Sequence, residues 1–386
     1  MAHARLNHLV ARTLALLALL SGLALPGARP ASATPALAPA KAAADEEIPP
    51  PDTLVAGNIA GFTVAKATVF WYTQCRSGQP TTTDSISRIP VQGGESHQLY
   101  NVVSDCSSST FQSNVVADTD YLYWASNSGL LRLSTNATVG DQPQVLSAAA
   151  AGSRELVLDN DVVYTLHVTS PSPTRTYTTT VQQVAKAGGT TTTLLTRTGN
   201  TIPRSLQVSH AFSEVSGASD YLYWLDDEVL MRYNLNNRML DTIARDVNSF
   251  YAEGGITSCE NLHCTTTDRV YFSGDEHLSY YNNDDGTTTH VYGYQGVYVV
   301  GTNRRYLFLI ATQTINNCAP RCSWITISWF TRAKREAPGT SVTLHNGGAG
   351  NITTVNGYLL WQSYGQILRL PADVGLPHLY MPVIRN

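Results

Sequence analysis

Cysteines, histidines and clustered carboxylates are the side chains of this chain with types suited to chemistry. Six cysteines are present: Cys75, Cys106, Cys259, Cys264, Cys318 and Cys322. "CENLHC" (259–264) and "CAPRC" (318–322) hold close pairs, and His263 lies inside the first. Zinc is one chemistry for such pairs, but neither spacing is that of a Cys-x-x-Cys knuckle. Eight histidines lie beyond the first thirty residues: His97, His167, His210, His263, His277, His290, His345 and His378. Imidazole is the commonest metal ligand, yet these fall in no regular pattern. "DTD" (118–120), "DND" (159–161) and "DDE" (226–228) resemble calcium ligands but lack the glycine and distal glutamate of an EF-hand. Asx side chains capping tight turns account for them more simply. No Gly-x-Ser-x-Gly, His-Glu-x-x-His or phosphate-cradling loop is present. The expectation is no metal, no cofactor and no catalytic residue.

The first residues read as an address. Arg5 and Arg12 precede the apolar run "TLALLALLSGLALPG" (13–27), and "ASA" (31–33) offers a small-x-small cleavage site. The run is too short to span a bilayer, so residues 1–33 are expected to be a secretory signal peptide. Residues 34–53, rich in Ala and Pro, read as a linker, and 54–386 as the folded domain. Export favours oxidation, so the cysteines are expected as disulfides: Cys75–Cys106, Cys259–Cys264 and Cys318–Cys322. Without residues 1–33 the chain keeps 22 basic and 29 acidic side chains, a net charge of −7. That balance, with no basic stripe, argues against nucleic acid and anionic membranes as partners.

The elements that would position these residues repeat. "TVFW" ends at Trp71, "YLYW" at Trp124, "VVYT" at Thr165, "YLYW" at Trp224, "RVYF" at Phe272, "YLFL" at Leu309 and "YLLW" at Trp361. Seven such words stand at a mean step of about 48 residues, within the range of propeller blades. Each follows a turn rich in Asp, Asn or Gly. A third strand comes next ("LLRLS", "VLMRYNL", "ILRLPA"), and often a fourth ("SHQLYNV", "TTTLLT"). Four strands per unit predict an all-β propeller of seven four-stranded blades, with six as the alternative. Alternation along a strand sends Tyr221 and Tyr223 to one face and Leu222 and Trp224 to the other. Both faces are apolar, as an inner strand packed between two blades requires. Either "TLVAG" (53–57) or "HLYMPVI" (378–384) is expected to complete the last blade, since a bare edge invites aggregation.

"DYLYWLDDEVLMRYNL" and "DYLYWASNSGLLRLSTN" resemble the YWTD repeats of low-density-lipoprotein-receptor propellers and related bacterial propellers. Tyr223, Trp224, Asp226 and Arg232 match that pattern, as do Tyr123, Trp124 and Arg132, and Trp361 and Arg369. The resemblance spans most of residues 61–374. It implies a propeller, of six blades in that family, and protein partners. Arg88, Arg132, Arg232 and Arg369 recur at one third-strand position, and a structural hydrogen bond to a neighbouring strand or turn is expected of each. An anion-binding Arg ring is the sharper possibility, but third strands lie away from the axis.

Function is expected on the face carrying the second-to-third-strand loops. Those at 73–84, 169–176 and 312–323 are long, against tight turns at 126–129, 226–228, 273–276 and 363–366. Arg76, Gln79, Arg175, Asn316, Asn317, Arg321 and Trp324 are the candidate contacts. A non-catalytic, monomeric binding module for a protein or glycan outside the cytoplasm is the leading expectation. A secreted hydrolase or lyase is the alternative, and a cluster of His167, His210 and carboxylates at one axial opening would favour it. "NAT" (136–138) and "NIT" (351–353) are acceptor sites only in a host that glycosylates.

Overall fold

The computed structural model describes residues 48–75, 82–104, 110–169, 176–213, 217–260, 263–274, 277–292, 297–302, 306–317, 323–335 and 341–372. β1 (Asp52–Ala56) comes first, followed by blade 1, made of β2 (Ile59–Ala65), β3 (Thr68–Thr73), β4 (Thr82–Pro90) and β5 (His97–Ser104). Blade 2 is β6 (Val116–Ala117), β7 (Tyr121–Ser126), β8 (Gly129–Ser134) and β9 (Gln144–Ser147). Blade 3 is β10 (Glu155–Leu158), β11 (Val162–Thr169), β12 (Tyr177–Ala185) and β13 (Thr192–Gly199). Blade 4 is β14 (Arg204–Ser213), β15 (Gly217–Asp226), β16 (Val229–Asn234) and β17 (Leu240–Ala244). Blade 5 is β18 (Ser249–Glu260), β19 (His263–Ser273), β20 (Leu278–Asn282) and β21 (Thr288–Tyr292). Blade 6 is β22 (Val297–Thr302), β23 (Tyr306–Asn317), β24 (Ser323–Lys334) and β25 (Ser341–Asn346). Blade 7 combines β26 (Gly350–Val355), β27 (Tyr358–Ser363) and β28 (Gln366–Pro371) with β1 as its outer strand.

The first strands touch in sequence, β2 to β6 and onward to β26, which returns to β2. This is a closed seven-bladed propeller of antiparallel four-stranded sheets. Of the two closing candidates, "TLVAG" is the strand used. Thr53 pairs with Leu368 and Ala56 with Gln366. "HLYMPVI" lies outside the described residues.

Why the aromatic word recurs is visible in the packing. Seven apolar clusters fill the seven gaps between blades. Leu222 and Trp224 face blade 3, alongside Tyr164 and Leu166. Tyr223 and Leu225 face blade 5, alongside Phe250 and Val270. The same division holds in blade 2, with Leu122 and Trp124 towards blade 1 and Tyr123 and Ala125 towards blade 3. A strand sandwiched between two blades must be apolar on both faces, so the Trp rings are core. Trp124, Trp224 and Trp361 are at most 1% exposed.

Polar side chains staple each blade to the next. Arg88 Nη1 donates to Thr135 O at 2.7 Å, Arg132 Nη1 to Lys186 O at 2.6 Å and Arg369 Nη1 to Val91 O at 2.7 Å. Arg232 Nη1 donates to Asn283 Oδ1 at 2.7 Å. Each acceptor lies in the turn after the third strand of the following blade, so the recurrent Arg is structural and forms no axial ring. The same guanidinium stacks on the first Tyr of its own second strand, Arg132 on Tyr121 at 4.6 Å and Arg232 on Tyr221 at 4.7 Å. Arg332 on Tyr306 and Arg369 on Tyr358 repeat this. In blade 5 the partners change strands: Arg269 sits on β19 and Tyr280 on β20, 4.4 Å apart. The contact survives because the two positions are neighbours on one sheet face.

A second set of staples runs between first strands. The Asn114 side chain donates to Leu156 O and accepts from Leu156 N. Gln207 does the same with Phe250 O and Ala252 N. The half-buried Glu155 carboxylate accepts from the amides of Ser205 and Leu206. These side chains satisfy backbone groups that a gap between blades would leave unpaired.

Candidate functional site

Neighbouring strands are antiparallel, so the turns of every blade alternate between two ends. Second-to-third-strand turns and the connections between blades share one face. On that face a cleft of about 400 Å³ opens between blades 3 and 4. Tyr177 at the start of β12, the connection Asn200–Ile202, Arg204, and the turn Asp227–Glu228 line it. Its back wall is fixed by Asp226, which accepts from Thr201 Oγ1 at 3.0 Å and pairs with Arg197 Nη1 at 3.1 Å. Arg204 is held at the rim by donating to Asn248 O at 3.3 Å. An exposed acid pair facing an arginine and a tyrosine offers donors, acceptors and both charges to a polar ligand. Arg175 stands two positions before Tyr177 in the sequence.

The turn itself is under strain. Asp227 and Glu228 have φ of 54° and 60° in a two-residue hairpin, with Asp226 opposite Val229. Two positive φ values in such a loop favour Asn-Gly. The sequence uses that pair in the β26–β27 turn, where Asn356 and Gly357 have φ of 48° and 78°. Placing Asn-Gly at 227–228 is therefore expected to stabilise the domain by about 1 kcal/mol. Urea unfolding of the double variant Asp227→Asn/Glu228→Gly checks this, with a higher midpoint as the expected result.

The other candidates divide in placement. Arg76, Gln79, Arg175 and Arg321 lie outside the described residues. Asn316, Asn317 and Trp324 do not sit in a loop: β23 runs to Asn317 and β24 begins at Ser323, with Asn316 opposite Trp324. The segment 312–323, expected as a long loop, is thus mostly an extended hairpin. Thr, Ile and Trp in "TQTINN" and "SWITIS" supply the strand propensity that continues the ladder. In the sequence Asp227 and Glu228 read only as caps of a short turn, and Arg204 is not singled out, so the cleft they form is not foreseen there. The signal available was an acid pair at positions where glycine or asparagine would be at ease.

Cys75 closes the short stretch after β3. Its amide donates to Asp84 Oδ1 at 2.6 Å, and the amide of Thr110 donates to Asp84 Oδ2 at 3.2 Å. One buried carboxylate therefore ties the Cys75 segment to the connection that carries Cys106. Cys106, Cys318 and Cys322 lie outside the described residues. Cys259 and Cys264 are direct cross-strand partners near the β18–β19 turn.

His167 and His210 stand at opposite ends of the blades. His167 is near the end of β11, where burial lowers its pKa and Gly152 approaches its ring. His210, near the β14–β15 turn, joins Asp220 at 2.9 Å and Asp159 of blade 3 at 3.2 Å. The "DTD" turn is likewise a joint. Asp118 accepts from the amides of Asp120 and Tyr121, from Tyr123 Oη and from Lys186 Nζ of blade 3. Burial alone would raise the Asp118 pKa, but these donors hold it below the usual range. Among the described residues no three His, Cys, Asp or Glu are placed to hold a metal ion.

With this geometry in hand, the class is a seven-bladed β-propeller with a polar cleft on its loop face. No family model matches the chain, and no curated protein matches it. Among solved structures it is similar to the WD40 β-propeller domain of Doa1, at 10% identity and a TM-score of 0.47 over 84% of this chain and 94% of that one. It is similar to BamB from Moraxella catarrhalis at 15% identity and a TM-score of 0.39, covering 81% and 82%. A chain of the mitotic checkpoint complex aligns at 9% identity and a TM-score of 0.49, covering 91% and 97%.

Proposed function

We propose that the chain is an exported, non-catalytic scaffold that holds a protein or glycan partner on its loop face, as a divergent relative of YWTD-type propellers. The observation that carries this reading is the cleft between blades 3 and 4, polar, open and walled by side chains locked to neighbouring blades. A ring stapled in this way presents its loops with little ordering left to lose on binding. The partner, outside the cytoplasm, contacts Arg204, Asp227 and Glu228 together with Arg175 from the adjoining loop.

The test is a pull-down from secreted and envelope extracts with the domain from Ile48 onward, beside the Asp227→Asn/Glu228→Gly variant. Wild type should retain a discrete partner, and the more stable variant should lose it. Equal capture by both would remove the cleft from the reading. Captured material is analysed for protein and for glycan, and the purified domain for bound metal.

The disulfides belong to the same reading. Cys75–Cys106 is the pairing supported by the shared Asp84 clamp, with Cys259–Cys264 and Cys318–Cys322 as local bonds. Non-reducing peptide mapping is expected to recover Cys75 with Cys106. Cys75 joined to any later cysteine would overturn that assignment.

A further inference from the structure

Two hairpins lie side by side on the face opposite the cleft. β14–β15 and β18–β19 run past their blades: β16 covers β15 only from Tyr221, and β20 covers β19 only from Arg269. β14 also touches both β18 and β19, so the two ribbons share a base. Asp268 stands at the foot of the second ribbon and is 0% exposed. Its Oδ2 has no hydrogen-bond partner among the described residues, and Ser209 Oγ, at the foot of the first ribbon, is 3.5 Å from its Oδ1.

The charges around Asp268 do not neutralise it. Arg232 on β16 is committed to Asn283 Oδ1 and to Asp241. The Asn283 side chain hydrogen-bonds the Asp268 carboxyl but shares its amide with Tyr223 Oη on β15, to which it donates at 2.9 Å. Asp284, in the turn after β20, carries like charge. Glu253 on β18 is turned to Arg335 and Thr302, and His210, beside Ser209, to Asp159 and Asp220. A carboxylate buried with an empty oxygen is costly, whereas the neutral acid is tolerated. Burial raises the Asp268 pKa to about 6, with Asp284 adding to the shift and Asn283, Ser209 and Arg232 opposing it.

We propose that Asp268 is a proton-binding joint between blades 4 and 5, held as a neutral acid in mildly acidic surroundings, whose ionisation loosens the feet of the two ribbons. This is independent of the cleft reading. The sign follows from linkage. The folded pKa, about 6, lies above the ordinary value of 3.8, so the folded state keeps the proton longer. The joint's contribution is fully present below the ordinary value and is lost as pH rises through the raised one.

Thermal unfolding of wild type and D268N at pH 5 and pH 8 tests this. Asn keeps the shape and removes the charge. Glu253, whose pKa burial also raises, is common to both proteins and cancels in the comparison. The wild-type midpoint is expected to fall by several degrees more than that of D268N on going from pH 5 to pH 8. Amide exchange in 204–225 and 249–273, corrected for intrinsic rate, should quicken in wild type alone. Parallel midpoints in the two proteins would overturn the proposal. Should D268N not fold, a carbon-13 carboxyl titration of wild type decides: an Asp titrating near pH 6 supports the joint, and none above pH 5 refutes it.

Discussion

Removing residues 52–56 is expected to abolish cooperative folding or to lower stability by about 3 kcal/mol or more. β1 is the fourth strand of blade 7, and Leu54 and Val55 pack on the cluster that joins blade 7 to blade 1. Without it β28 becomes a bare edge, open to pairing with other molecules, so aggregation should accompany the loss. Deleting 376–386 leaves all four strands of blade 7 in place. Circular-dichroism melts of the two truncations, side by side, check the assignment. A β1-less chain that melts like the full one would show that the ring closes without it.

Trp124→Ala is expected to cost about 3–5 kcal/mol. The ring is 0% exposed and packs at 5.7 Å from Tyr100 and 5.8 Å from Phe111, whose side chains belong to blade 1 and the connection after it. The cavity would therefore open between blades, where neither sheet can close it without moving as a body. Trp124→Phe should be far milder. Trp124 Nε1 has no hydrogen-bond partner among the described residues, so losing that buried donor offsets part of the lost volume. Urea unfolding of the two variants reads the difference. Equal losses would mean that the lost volume does not govern the site.

Much of the fold was legible because it is written seven times. A word such as "YLYW" has to satisfy two blade interfaces at once, and its double-sided apolar pattern states that requirement locally. The third-strand Arg was legible for the same reason. What a repeat does not write is what happens once. Whether β1 or "HLYMPVI" closes the ring depends on which end reaches blade 7, and strand propensity does not distinguish them. The extension of β23–β24 through Asn317 and Ser323 also escaped, because Asn and Gln within it resemble loop residues until each finds a cross-strand partner. The first-strand staples at Asn114, Glu155 and Gln207 are isolated polar residues. Their meaning lies in contacts 42 to 51 positions away. The cleft was hidden because Asp227 and Glu228 lie in a turn short enough to be taken for a plain connection, and the long loops drew attention instead.

The use of β1 in blade 7 puts the ring's joint between the first and last residues of the domain to be synthesised. Asp52 pairs with Arg369, and Gln362 donates to Ile59 O. A chain emerging in order can assemble blades 1 to 6 while β1 still waits for its partner. Loop-closure entropy rises only slowly with the length of the waiting chain, but contacts of such sequence separation form late. Until β26, β27 and β28 are made, the ring remains an open arc with two apolar ends. The fold cannot lock before β28 has been made, which leaves an interval in which the chain is still open enough to be threaded.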